Sequence, residues 1–220
     1  MSPKKKPLQS SESKRTAYVT IIPLSTHHHW SALIMEKTTV FDVIERMSAL
    51  MRSEERKKCT QFSLQSVHLQ VLDYLSRCNK YSDTPAALTN YLGMTRGTVS
   101  QTLLLLEKKG YLKKTTDTGD RRVIHLSLLP EGNAMLAQAR PSELFIQAAN
   151  LLNKDELTRY DEALVNMLSA LQKSNKSHSF GICETCQFFT ELPDGYLCGL
   201  TKEQLTEEDS RKICQEHSVL

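Results

Sequence analysis

Residues 84–136 read TPAALTNYLGMTRGTVSQTLLLLEKKGYLKKTTDTGDRRVIHLSLLPEGNAML, and their pattern decides the fold. Thr84 suits a helix N-cap, with Pro85 at the first helical position. That helix carries Leu88, Tyr91 and Leu92 and stops at Gly93. Thr95 caps a second helix, which runs to about Lys109 and ends at Gly110. Only Gly93-Met94-Thr95 joins the two, and a short Gly-containing turn of this kind predicts a helix-turn-helix. After Gly110 the apolar period drops to two. Tyr111–Thr115 predicts one strand, Asp117–Asp120 a turn and Arg122–Leu128 the return strand. Ile124, Leu126 and Leu128 then share one face. A β-hairpin directly after a helix-turn-helix is a wing.

Working outward, Leu64–Cys78 predicts a helix that precedes this pair. Residues 38–59 predict a longer one, because Val40, Val43, Ile44, Met47, Leu50 and Met51 recur at three and four. After Pro130 come a helix over Glu131–Gln147, interrupted by Pro141, and a strongly amphipathic one over Asp155–Lys173. The last is the natural partner of 38–59, and together they predict a dimerisation layer. The expected fold is mainly α with a small β-wing: a winged helix-turn-helix, a helical dimerisation layer and a small Cys-rich C-terminal module. The expected division is an extension at 1–35, a winged-helix domain at 36–173 with its DNA-binding core at 63–136, a linker at 174–179 and the module at 180–220.

Composition narrows the class. The 220 residues exclude a collagen, a wholly disordered chain and a disulfide-dense toxin. The net charge of +3 is unevenly spread. Residues 63–130 carry nine basic and five acidic side chains, residues 131–220 eight and fourteen. A basic middle and an acidic end point to a polyanion partner for one part only. No apolar run approaches the ~20 residues of a membrane span. MSPKKKPLQS is basic, with no signal-peptide apolar region after it. A soluble, cytoplasmic protein without a membrane partner is expected. His27, His28 and His29 are adjacent, so their side chains diverge, and an exposed loop is expected there.

Thr98-Val99-Ser100, Leu106-Glu107-Lys108-Lys109-Gly110-Tyr111 and Asp120-Arg121-Arg122 resemble, in order and spacing, the winged helix of the MarR family of bacterial transcription regulators. Leu129-Pro130-Glu131-Gly132 fits its strand-to-helix junction loosely, with Pro where the family has Thr. With the flanking helices, the resemblance covers about residues 36–173. It implies a homodimeric regulator that binds double-stranded DNA. By the family's D-x-R pattern, Arg122 is the wing residue carried over.

The physics of the motif agrees. The first residues of a recognition helix meet base edges in the major groove. Here those are Thr95, Arg96 and Thr98, then Ser100 and Gln101 one turn later. Arg96 suits guanine or phosphate, Gln101 suits adenine, and Gly97 allows close backbone approach. Arg121 and Arg122, near the hairpin tip, suit a narrow minor groove, or one of them pairs with Asp117 or Asp120. Leu103–Leu106 are four leucines in a row, and Leu104 and Leu105 cannot both face the core. Those two leucines support an alternative, a winged-helix protein-interaction module without specific DNA binding. No residues name a small-molecule effector, and no general base or phosphate loop marks an enzyme.

Four of the six cysteines cluster as Cys183-x2-Cys186-x11-Cys198-x15-Cys214-x2-His217. Such clustering without a secretion signal points to metal rather than disulfides. Cys183, Cys186, Cys198 and Cys214 complete a four-thiolate shell, with His217 as an alternative ligand. Zinc is the first expectation, an iron–sulfur cluster the second and metal-free reactive thiols the third. The spacing with its aromatic neighbours loosely resembles the small cluster-binding subunits of some glycyl-radical enzymes. Cys59 and Cys78 fall on helices as ordinary small apolar residues.

Overall fold

The computed structural model describes residues 39–140, 142–175 and 178–218. The expected N-terminal extension, with His27–His29, lies outside them. Contacts divide the chain between Arg46 and Met47, and residues 47–218 form one compact unit. α1 spans Val40–Gln61, α2 Ser66–Arg77, α3 Pro85–Leu92 and α4 Arg96–Lys108. β1 (Leu112–Thr116) and β2 (Ile124–Leu128) follow, then α5 (Pro130–Ala139), α6 (Glu143–Ala149) and α7 (Lys154–Ser174). The C-terminal segment holds a 3-10 turn (Cys183–Thr185), strands β3 (Phe189–Leu192), β4 (Gly195–Cys198) and β5 (Glu203–Leu205), and a short helix α8 (Glu207–Ser210).

Local chemistry sets these boundaries. The Thr84 side chain accepts from Ala87 N, and Gly93 closes α3 in the left-handed region at φ 62°. The Thr95 side chain accepts from Thr98 N and starts α4. Gly110, at φ 73°, turns the chain into β1. Beyond α5, Ser142 caps α6 by accepting from Phe145 N. The expected helix over 131–147 is therefore two, one on each side of residue 141.

β1 and β2 pair antiparallel, from Leu112 opposite Leu128 to Thr116 opposite Ile124. Leu126 is buried, as the two-residue period requires. The core gathers Leu69, Leu72 and Tyr74 of α2, Leu88 of α3, Val99, Leu103 and Leu106 of α4, Leu112 of β1 and Met135 of α5. Burying each such side chain stabilises by roughly 1.5–3 kcal/mol. This arrangement is a winged helix. Glu55 accepts from Arg140 at 3.0 Å, and Glu54 accepts from the Ser142 hydroxyl and Leu144 N, which ties the second half of α1 to the start of α6.

The C-terminal segment packs directly on the winged helix. Ile213 is buried in the winged-helix core, and its backbone bridges both Cys78 and Ile182. Phe180 stands edge-on to Tyr74 and Tyr91, at ring separations of 6.4 and 5.2 Å. The segment is therefore built into the same unit. Phe180 thereby packs against both α2 and α3.

Among the described residues of the unit from Met47 onward, the apolar stripes of residues 47–59 and 155–173 are not buried. α7 has no buried residue, and Leu164, Leu168 and Leu171 are exposed. On α1, Met47, Leu50 and Met51 are exposed too. No described helix is long and apolar enough to cross a membrane.

Candidate nucleic-acid interface and thiol cavity

The start of α4 is open to solvent from Thr95 to Thr98, and again at Ser100 and Gln101. Val99, Thr102 and Leu103 point inward and fix the helix by its buried face. The exposed residues divide by role. Thr95 Oγ1 is committed to the cap, and the Thr98 hydroxyl lies 2.9 Å from it. Arg96, Ser100 and Gln101 have no side-chain hydrogen bond among the described residues. Those three are the side chains free to read a partner.

Gly97 adds a separate signal. A Cβ built there would meet nothing nearer than Thr95 Oγ1, at 3.8 Å. The protein itself therefore does not require glycine, although glycine in a helix costs about 1 kcal/mol relative to alanine. The flush surface it leaves faces outward.

Between α4 and the wing lies a concavity of about 1190 Å³ lined by Arg96, Ser100, Lys114, Arg122 and His125. On the other side of α4, Gly97, Thr98, Gln101, Leu104, Leu105 and Lys108 line a shallower one. Leu104 and Leu105 stay exposed there.

The wing tip is held by its own carboxylates. Asp117 Oδ1 accepts from Gly119 N and Asp120 N, each at 2.7 Å. Asp120 takes a two-pronged contact from Arg122, with Nε at 2.9 Å and Nη2 at 2.8 Å. Arg121 has no ion-pair partner among the described residues. The two arginines, equal candidates by sequence, thus differ: one guanidinium is oriented, the other is unspent. Of the lysines, Lys114 is engaged with Glu107 at 2.7 Å.

The base of the wing holds a group that sequence reasoning missed. His125 Nδ1 lies 2.6 Å from Asp83 Oδ1, and its Nε2 lies 3.3 Å from Asp117 Oδ2. Leu126 N also donates to Asp83 O at 2.7 Å. The residue before the α3 cap is thereby fastened to the return strand. The hydrogen bond to Asp83 raises the His125 pKa, aided by both carboxylate charges and opposed by burial. Burial raises Asp83 in turn, and its contact with His125 offsets that only in part. Asp117 moves the other way, lowered first by the Asp120 and Gly119 amides.

The sign of the pH effect follows. A raised histidine pKa stabilises fully below the unfolded value, about 6.5, and the gain is lost as pH rises through the folded value. The stability gap between the native chain and His125→Gln is expected to be widest in mild acid and to shrink at alkaline pH. Urea unfolding at a series of pH values measures it, and a gap that widens toward alkali contradicts the assignment.

The four clustered cysteines line one cavity of about 180 Å³, along with Asn79, Phe188, Phe189, Leu200 and Leu205. None of the chain's described cysteines is in a disulfide. The Cys183 and Cys214 thiols are hydrogen-bonded to each other. That contact brings Cys214 down to about 6 and, with burial, pushes Cys183 up. Asn79 Nδ2 lies 4.0 Å from Cys183 Sγ. His217 plays another part. Its Nδ1 lies 2.6 Å from the Ser179 hydroxyl and its Nε2 2.9 Å from the Thr185 hydroxyl. Both ring nitrogens are engaged in these contacts, and the buried ring lies against Gly181. Of the remaining two, Cys59 is buried, and burial pushes the Cys78 thiol up to about 12.

The segment 78–83 joins these parts. Asn79 N donates to Ile213 O at 2.9 Å, and Ser82 Oγ accepts from Gln215 N at 2.8 Å. Gln215 Nε2 donates to Tyr81 O, and the Tyr74 hydroxyl donates to Ser82 O. Sequence reading could not single out Asn79, Tyr81 and Ser82, since their partners Ile213 and Gln215 lie more than a hundred positions away.

Comparison with known proteins agrees with this geometry. Residues 62–123 match the MarR family model. The chain is 28% identical over 105 residues to the HTH-type transcriptional regulator PecS of Dickeya dadantii (strain 3937), a match over 47% of this chain and 63% of PecS. It thus spans less than two thirds of that curated relative. Among solved structures it is similar to the S. aureus MepR–DNA complex, with a TM-score of 0.53 and 23% identity. That match covers 61% of this chain and 99% of MepR. A crystal structure of a MarR family transcription regulator gives a TM-score of 0.50 at 18% identity, over 69% of this chain and 98% of that one. The unit from residue 47 onward is therefore a winged helix, and residues 62–123 carry the MarR sequence pattern on it.

Proposed function

We propose that the protein is a sequence-specific, DNA-binding transcriptional regulator that acts as a homodimer on a palindromic operator. The observation that carries this reading is the open start of α4. Arg96, Ser100 and Gln101 are unspent there, and Gly97 clears the surface without serving the fold. An exposed helix start of this width fits the major groove, and the basic wing tip beside it fits the adjacent minor groove. The likeness to PecS and to the MepR–DNA complex supports it.

The homodimer rests on two apolar stripes, on α1 and α7, that the described residues leave exposed. None of the 21 residues of α7 is buried by the described residues, so the described part of the chain does little to stabilise so long a helix. A second copy placing its own α1 and α7 stripes against these covers both by two-fold symmetry. Two reading heads then lie about one DNA turn apart, roughly 34 Å, so the operator is palindromic. The thiol cavity makes the regulator metal- or redox-responsive, because it is fastened to the segment that enters α3.

The test is a selection for bound duplexes, followed by affinity measurements with the native chain and Arg96→Ala. Arg96→Ala is expected to lose about 1–3 kcal/mol on the selected sequence. It should lose little on random duplex, where phosphate contacts dominate and affinity falls steeply with salt. Equal losses on all sequences assign Arg96 to phosphate alone. Absence of binding in dilute buffer overturns the proposal.

A further inference from the structure

The four cavity cysteines are not equivalent. The C-x2-C spacing makes Cys186 the obvious partner of Cys183, but the structure gives Cys183 a different one. Its thiol is hydrogen-bonded to that of Cys214, so the two sulfurs are in contact. The backbone holds this pair on both flanks. Ile182 and Ile213, the residues just before each, bridge one another, and Cys214 N donates to Gly181 O at 3.0 Å. On the other flank Cys186 N donates to Cys183 O at 2.9 Å, and His217 N donates to Cys214 O at 3.3 Å.

The Asn79 amide completes the arrangement. Asn79 is buried, and its Oδ1 accepts from Tyr81 N at 3.1 Å and from the Ser82 hydroxyl at 2.7 Å. Those bonds fix the amide plane, and its other end faces the sulfurs of both Cys183 and Cys214. The two thiols differ in access. Cys183 is buried, whereas Cys214 is half-buried on the cavity wall. A buried thiol in contact with a more accessible one is the layout of a resolving and an attacking cysteine.

We propose that Cys183 and Cys214 are a redox-active pair that a hydroperoxide converts to a disulfide. The Cys214 sulfur attacks a peroxide oxygen, and the O–O bond breaks. The departing oxygen takes the thiol proton and leaves as an alcohol, or as water from hydrogen peroxide. Cys214 is then a sulfenic acid. The Cys183 sulfur bonds to the Cys214 sulfur and displaces that hydroxyl, which leaves as water with the Cys183 proton. The two sulfurs have lost two electrons, and the peroxide has gained them. A covalent bond of about 2.05 Å replaces the hydrogen bond between the thiols. It lies beside Asn79 and next to Ile213, which carry the change to the segment entering α3. The assignment rests on the redox-responsive reading of the cavity. It does not need DNA binding, because the bond is mapped in the chain alone.

The experiment treats the full chain with hydrogen peroxide, then alkylates it and maps its peptides by mass. One cross-link joining the Cys183 and Cys214 peptides, with loss of two hydrogens and reversal by dithiothreitol, is the expected result. Cys186→Ser is expected to form the same bond. In Cys183→Ser the sulfenic acid at Cys214 lacks its resolving thiol and is expected to be trapped by dimedone. Because that variant can also misfold, the map of the native chain decides by itself. A bond between Cys183 and Cys186, or between two chains, overturns the pairing but leaves the cavity redox-responsive. Thiols that survive excess peroxide, a bound metal shielding them included, overturn both.

Discussion

Ile213→Ala is expected to destabilise the chain by about 2–5 kcal/mol, the usual cost of truncating a buried branched side chain to alanine. Ile213 looks like a spacer between Lys212 and Cys214 in the sequence. In the structure it is buried among core residues of the winged helix. Its backbone accepts from Asn79 N and donates to Arg77 O, so the strand cannot easily shift to refill the space. The cavity left by truncation therefore opens between α2 and the C-terminal segment. Urea unfolding followed by circular dichroism measures the loss. The same titration followed by Trp-independent thiol labelling of the cavity cysteines should show one shared transition. A loss below about 1 kcal/mol, or two separate transitions, contradicts the seam.

Gly132→Ala is expected to cost about 1–3 kcal/mol, the range for overpacking a filled site. Gly132 is buried in the first turn of α5, where a Cβ would lie 2.2 Å from Tyr111 O and 3.0 Å from Tyr111 C. The obstacle is backbone, not the flexible end of a side chain. Tyr111 O also accepts from Leu129 N at 2.9 Å, which pins it from the other side. The methyl group can be admitted only if α5 and the root of the wing move apart. A melting curve reads the stability loss. If the proposed wing contacts are made, affinity for the selected duplex falls as well. An alanine variant as stable as the native chain would show that this junction yields.

Much of this was legible in the sequence, because the decisive signals are local. Thr84, Gly93, Thr95 and Gly110 act through their own backbones or the next turn, so the helix-turn-helix could be read directly. The wing followed from a two-residue period and the Asp117–Asp120 turn. The exposure of Arg96, Ser100 and Gln101 followed from the helical period. What could not be read depends on distant pairs. His125 sits between Ile124 and Leu126 as an outward strand residue, and nothing local says that Asp83 waits for it. Arg121 and Arg122 are alike in sequence, and only the turn geometry assigns Asp120 to Arg122. The four cysteines announced a site, but their gathering around one cavity depends on how three separate segments pack.

The Ile213 seam also bears on how such a chain can be shortened or exchanged. A polypeptide cut after Ser174 keeps every side chain of the reading head, yet it uncovers Tyr74 and opens α2 to water. The tail is therefore not a cassette that evolution or an engineer can delete or swap at will. Whatever replaces it must supply an aliphatic plug where Ile213 stands and a hydrogen-bonding edge for residues 77–82.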